Sequence, residues 1–180
     1  MTWLLPPTDA FVDESIRGQR YLMSCVMLAA RDIASTRAAI ADLSIAHRRV
    51  HFHNESPKRR AALLMSFAAL PISAQVVVCR RRHGVTEFNA RAACLIAIVE
   101  MLQRVEVARV VIESRQDDRS DVGVIDRVRK REPPLVFEHR RGVEEPLLWL
   151  ADGITWAVGA GGRWREIVSP IVAGISIIEP

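Results

Sequence analysis

The run Ala10-Phe11-Val12-Asp13-Glu14-Ser15 constrains this chain more than any other stretch. An apolar pair passes directly into two carboxylates and a hydroxyl. Phe11 and Val12 read as the end of a buried strand, with Asp13 at the point where that strand leaves the core. A carboxylate held there is strongly unfavourable unless an arginine or a metal ion neutralises it. Which of the two applies depends on which other acids the fold brings to Asp13.

Further along, residues 21–28 form an apolar run that pairs with the first strand through an Arg17-Gly18 turn. Asp32 caps a helix to about Leu43, with Ile33, Ala39, Ile40 and Leu43 as its apolar stripe. Residues 50–53 alternate and read as a short edge strand or extended segment. Ser56-Pro57 opens a second helix, with the hydroxyl at the cap and proline at the first position, where its missing N–H is harmless. That helix carries Leu63, Leu64, Phe67 and Leu70 and stops at Pro71.

Val76-Val77-Val78-Cys79 is a β-branched strand, followed by a long helix over residues 86–104. The helix is apolar around much of its surface and is expected to be deeply buried. Val110-Val111-Ile112 is a strand that again runs into acid, at Glu113-Ser114. A helix over residues 120–131 and a short strand over 135–138 follow. The last clear helix opens at Glu144-Glu145-Pro146, continues through Leu147-Leu148-Trp149-Leu150-Ala151-Asp152 to about Val158, and ends at the glycine-rich stretch Gly159 to Gly162. Two strands followed by strands alternating with helices make a single α/β domain. Its core spans about 10–159, and residues 160–180 form a C-terminal extension.

The composition agrees with one globular domain, at 180 residues with 49% hydrophobic and 26% charged. The net charge of +4 comes almost entirely from arginine and favours an anionic partner such as phosphate. Cys25, Cys79 and Cys94 lie in apolar runs without metal spacing, which suits a reducing compartment; the reading is cytoplasmic. Residues 1–7 lack the features of a signal peptide, and the apolar tail over 171–178 is too short to span a bilayer, so no membrane partner is expected.

Three acids stand out by position. Asp13 and Glu113 end strands, and in alternating α/β folds the carboxyl ends of strands border the functional crevice. Asp152 lies in a helix whose neighbours are nearly all apolar. Three converging carboxylates repel unless cations lie between them. Their chemical use is binding Mg2+ or Mn2+, hard cations that prefer oxygen. Two such ions about 4 Å apart activate water and stabilise the leaving oxygen in phosphodiester cleavage. Each acid also has a plainer role: Asp13 closing a turn with Ser15, Glu113 pairing with Arg115, Asp152 facing solvent.

These motifs carry a resemblance. Phe11-Val12-Asp13-Glu14-Ser15, His51-Phe52-His53, Val111-Ile112-Glu113 and Leu147-Leu148-Trp149-Leu150-Ala151-Asp152 together resemble the ribonuclease H-like family known as domain of unknown function 3800. The likeness spans about 10–159. It implies a ribonuclease H-like mixed sheet flanked by helices and a metal-dependent nuclease centre at Asp13, Glu113 and Asp152. Two departures accompany it. The central-strand acid is usually Asp, and Glu113 reaches further; the fourth acid has no clear counterpart, with Glu55, Glu14 and Glu145 competing and Glu55 preferred.

His51 and His53 share a face if their segment is a strand, either as proton shuttle or auxiliary ligand or as an edge pair making local hydrogen bonds. His47, His83 and His139 say little. The basic groups Arg48-Arg49, Lys58-Arg59-Arg60, Arg80-Arg81-Arg82 and Arg140-Arg141 could hold a phosphate backbone or be solvated surface, with Arg59, Arg60, Arg80, Arg81 and Arg82 the chosen contacts. Trp149, Trp156 and Trp164 offer stacking surfaces or core. RNA, DNA and hybrid stay open as substrates. The rival reading is a non-catalytic ribonuclease H-like module that binds nucleic acid or a protein. The apolar tail and the tryptophan face are compatible with a homodimer under either reading.

Overall fold

The computed structural model describes residues 9–45, 48–130, 132 and 134–180. The readings of residues 1–7, of His47 and of a helix end at Arg131 lie outside them. The chain forms β1 (Asp9–Arg17), β2 (Arg20–Leu28), α1 (Ala30–Ala41), a 3-10 turn (Phe52–Asn54), α2 (Pro57–Ala68) and β3 (Ser73–Arg80). It continues through α3 (Glu87–Arg104), β4 (Arg109–Glu113), α4 (Asp118–Val128), β5 (Val136–Arg140), α5 (Leu148–Ala160), α6 (Gly162–Val168) and β6 (Val172–Ile178). The six strands form one mixed sheet in the order β5-β4-β1-β2-β3-β6. Strands β1, β2 and β3 make an antiparallel meander, while β4 and β5 lie parallel to β1 on one side and β6 parallel to β3 on the other. This α/β sheet flanked by helices is compatible with a ribonuclease H-like fold.

Several elements lie where the sequence puts them. Ser56 caps α2 by accepting from Arg59 N at 3.3 Å, with Pro57 in the first turn, and Thr86 caps α3 by accepting from Asn89 N at 3.1 Å. The differences have physical causes. Strand β1 does not stop at Asp13 but runs to Arg17, because the whole β1–β2 hairpin is paired, Arg17 against Arg20. Helix α1 starts one turn earlier than a cap at Asp32 requires; Ala29 is at the cap and Asp32 sits in the first turn, where a carboxylate suits the helix dipole. Residues 50–53 enter the 3-10 turn rather than an edge strand, since Phe52 is pulled fully into the core.

The tail is not an extension at all. Residues 172–178 complete the sheet as β6 beside β3.

Each face of the sheet has its own core. One is built on Phe11, Leu22, Val26, Val76 and Val111 and is covered by α1, α2, α5 and α6. The other, around Val12, Met23, Val77, Val110 and Ile112, is covered by α3 and α4. Helix α3 buries only one side, whereas every residue of α5 from Leu148 to Gly159 is buried. The reason is placement: α5 lies between the sheet, α2, α6 and the 3-10 turn. Gly153 permits that approach, because a Cβ there would fall 2.5 Å from Phe52 Cε2 and 2.7 Å from Phe67 Cε2.

Candidate metal centre

Side chains alternate across a strand, so the two faces sort the acids. On β1, Phe11 belongs to the α5 face and Val12 to the α3 face, which puts Asp13 under α5 and Glu14 on the far side. On β4 the same alternation carries Glu113 to the α5 face with Val111. Asp152 comes down from α5 itself.

Three contacts fix that helix over β1 and β2. Ser24, the ladder partner of Asp13, donates to Ala151 O at 2.8 Å. Thr155 Oγ1 lies 2.6 Å from Ser24 Oγ and 3.3 Å from Asp13 O. Asp13, Glu113 and Asp152 are therefore gathered from three elements, and they are only 7%, 8% and 8% exposed.

Each carboxyl is held above the ordinary carboxylate range, burial being the main cause. For Asp13 the shift is large, and the negative charges of Glu14, Asp152 and Glu113 add to it against one opposing hydrogen bond from Glu14 N at 2.7 Å. For Glu113, burial outweighs the pull of Arg49 Nη1 at 2.7 Å and of Gly142 N at 3.1 Å. For Asp152, burial outweighs the hydrogen bond from Phe52 N at 3.0 Å and the nearby positive groups. Glu113 Oε2 is buried with no hydrogen-bond partner.

The 3-10 turn supports Asp152. His51 Nδ1 lies 3.7 Å from Asp152 Oδ2, and the His51 and His53 rings meet edge to face at 6.5 Å. The two imidazoles share this place through the turn rather than through strand alternation. Arg60 holds the turn from α2, donating to Phe52 O and His53 O at 2.7 Å each, with its guanidinium 4.4 Å from the Trp156 ring centre.

The remaining candidates lie apart from the centre. Glu14 pairs with Arg91 at 2.7 Å and Arg115 at 3.0 Å on the α3 face. Glu145 takes a fork from Arg37 and caps the entry to α5 through Leu147 N at 3.1 Å. Glu55 pairs with Arg59 at 3.3 Å, and Arg59 also donates to Leu43 O. Arg80 ends β3; Arg81 holds the β1–β2 turn through Gly18 O at 2.8 Å, and Arg82 pairs with Glu179. Trp149 donates to Gly142 O at 2.7 Å from inside the core, and Trp156 packs against Trp164.

Two residues take places at the centre that the sequence does not signal, although Arg49 belongs to one of the basic groups it shows. Arg49 reaches Glu113 from the loop between α1 and α2, and Gly142 closes against both, its position leaving a Cβ 2.6 Å from Arg49 Cζ and 3.0 Å from Glu113 Oε2.

A second titratable group lies on the opposite face. Asp118, Asp121 and His139 bring ligand atoms within 4.8 Å of one another, the closeness a single ion requires; among the described residues Asp13, Glu113 and Asp152 do not form such a closed group. The second group already has its cation. Buried Arg91 forks onto Asp121 at 2.8 and 2.5 Å, and His139 Nε2 lies 2.9 Å from the same carboxylate. Burial raises Asp121, but Arg91 and His139 outweigh it and hold the carboxyl below its usual range. A dication beside that guanidinium meets repulsion, so the group reads as a buried ion network.

The two cavities bordering these sites, about 290 Å³ near Arg91 and about 260 Å³ near Arg49, differ too little for size to decide between them. The chemistry decides, since on the α3 face Arg91 and His139 hold Asp121 low, whereas on the α5 face burial outweighs the counter-charges and holds Asp13, Glu113 and Asp152 high.

No protein-family model matches the chain, and no curated protein matches it either. No helix among the described residues is long and apolar enough to cross a membrane.

Proposed function

We propose that this protein is a divalent-metal-dependent nuclease in which Asp13, Glu113 and Asp152 hold Mg2+ or Mn2+. The observation that supports this most is the excess of buried negative charge: three carboxylates on one face, one neighbouring arginine, and a buried Glu113 oxygen left without a partner. The donor set fits a hard cation, being oxygen only, and a cation entering it offsets the burial that raises all three carboxyls and the carboxylate repulsion that adds to it at Asp13 and Glu113. When bound, the cation supplies activation of water and charge neutralisation at the phosphate.

The protein's own groups do the rest. Phe52 N fixes Asp152, and Arg60 fixes the turn that presents it. Arg49 orients Glu113. His51 and His53, both solvent-exposed at the rim, are placed to exchange a proton with water entering the cleft. The net charge of +4 suits a nucleic-acid partner, and the buried free thiols of Cys25, Cys79 and Cys94 suit a cytoplasmic protein.

The test is hydrolysis of labelled RNA, DNA and RNA–DNA hybrid by the full chain with Mg2+ or Mn2+. Metal-dependent product that disappears with Asp13→Asn supports the reading. Product formed equally by that variant removes the role given to Asp13.

The second reading is a non-catalytic module that binds nucleic acid or a protein. The Arg49–Glu113 pair favours it, because that contact partly neutralises the centre with no metal present, and Glu14, Glu55 and Glu145 are each engaged elsewhere. It expects nucleic-acid or protein-partner binding indifferent to divalent cations, and no product at any concentration. A second copy of the chain is a further proposed partner, through the outer edge of β6 where Ile177 is 58% exposed. Light scattering tests it: Ile177→Lys should turn a dimer into a monomer, and a monomeric wild type removes the proposal.

A further inference from the structure

Beside the three carboxylates, the chain between α1 and α2 folds into a cavity of about 260 Å³ lined by Arg48, Arg49, His51, Asn54, Glu55 and Arg59. Its charge is opposite to that of the centre it adjoins. Three guanidiniums face two carboxylates, Glu55 within the cavity and Glu113 at its edge. Arg48 is exposed and has no carboxylate partner among the described residues. Arg49 gives its Nη1 to Glu113, and its Nε, packed against Gly142, is buried without a hydrogen-bond partner, so its guanidinium is only partly satisfied. A buried charged donor left open is costly and asks for an acceptor.

We infer that this cavity is a phosphate subsite, which takes the phosphate next to the one that reacts at Asp13, Glu113 and Asp152. Guanidinium forks suit the tetrahedral oxygens of a phosphate, and Asn54 adds an amide donor at the wall. The subsite joins the carboxylate centre at two points, Arg49 on Glu113 at 2.7 Å and His51 beside Asp152 at 3.7 Å. A strand whose phosphate sits among these arginines is drawn across the carboxylates. Arg49, shared between the two, links occupancy of one to the charge of the other. The inference rests on the nuclease reading for its substrate, but the phosphate-binding claim stands on the cavity alone.

The experiment is a titration of inorganic phosphate into the metal-free full chain, followed through the imidazole resonance of His51, with sulfate-free buffer and constant ionic strength. A saturable shift is expected in wild type. Arg48→Gln, whose side chain is exposed, and Arg59→Gln should each weaken it about tenfold or more, the worth of one charge-assisted hydrogen bond. Thermal melting checks that Arg59→Gln, which also loses its contact with Leu43 O, is folded; Arg48→Gln decides the matter if it is not.

A shift that does not saturate, or one untouched by Arg48→Gln, overturns the subsite. Hydrolysis is not read in this experiment, so an inert protein that still binds phosphate here fails the nuclease reading alone. An active protein without phosphate binding fails the subsite alone.

Discussion

Replacing Asp13 with Asn should make the metal-free protein more stable while removing its capacity to hold metal. Asp13 is 7% exposed, accepts one hydrogen bond, from Glu14 N at 2.7 Å, and is raised by burial and by Glu14, Asp152 and Glu113. The arginine paired at the centre, Arg49, is committed to Glu113. Asparagine keeps the volume and can still accept from Glu14 N, but carries no charge to desolvate. Relief of a buried, poorly compensated polar group is worth about 2 kcal/mol. For a chain of this size that is a rise in Tm of about 4–8 °C at neutral pH.

The pH dependence has a fixed sign. The folded carboxyl binds its proton more tightly than the unfolded one, so stability is fully present below the unfolded value near pH 4 and is lost as pH rises through the raised folded value. Asp152 and Glu113 slope the same way over their own windows, and Asp121, whose folded value is lowered, contributes the opposite slope only below pH 4. Asp13→Asn should flatten the fall in Tm above pH 4. Metal should reverse the order of the two proteins, because a cation at a hundred times its Kd adds about 2.7 kcal/mol to wild type. Scanning calorimetry of both proteins from pH 4 to 8, with and without Mg2+, reads all of this. A variant with unchanged or lower Tm at neutral pH, without metal, would refute the charge argument.

Other outcomes follow from the same contacts. Gly142→Ala places a methyl where Arg49 and Glu113 meet and should cost about 1–3 kcal/mol, visible as a lower urea midpoint. Arg60→Ala removes the donors to Phe52 O and His53 O and the stacking on Trp156, a loss of about 2 kcal/mol, and should speed hydrogen exchange at the Phe52 amide. Arg91→Met leaves buried Asp121 with His139 alone and Glu14 with Arg115 alone, and should cost about 3 kcal/mol. Asp118→Asn should leave Mn2+ affinity unchanged, since the Asp118, Asp121 and His139 group is assigned to structure rather than to metal.

Much of the fold is visible in the chain because local signals coincide with tertiary needs. Ser56-Pro57 can open only a helix, the valines of β3 are suited to a strand, and the Arg17-Gly18 turn joins two apolar runs. Where distant contacts decide, the sequence is silent. Nothing local says that Phe52 is buried and bends its segment into a turn, or that the apolar tail becomes β6. Glu14 is instructive: continuing the β1 alternation one residue past Asp13 sends it to the opposite face, and only the assumption of an early strand end hid this. Asp152 was legible because a carboxylate in an otherwise apolar helix has few explanations. Arg49 was visible only as part of a basic pair, since its meeting with Glu113 joins residues 64 positions apart and nothing local announces it.

The account turns on whether the three carboxylates take up a divalent cation. Calorimetric titration of Mn2+ and of Mg2+ into wild type and Asp152→Asn, each alone and with a short nucleic acid present, measures this most directly. Saturable heat in wild type that is lost in the variant is the predicted result. Equal heats in the two proteins, or none in wild type even with nucleic acid bound, would contradict it.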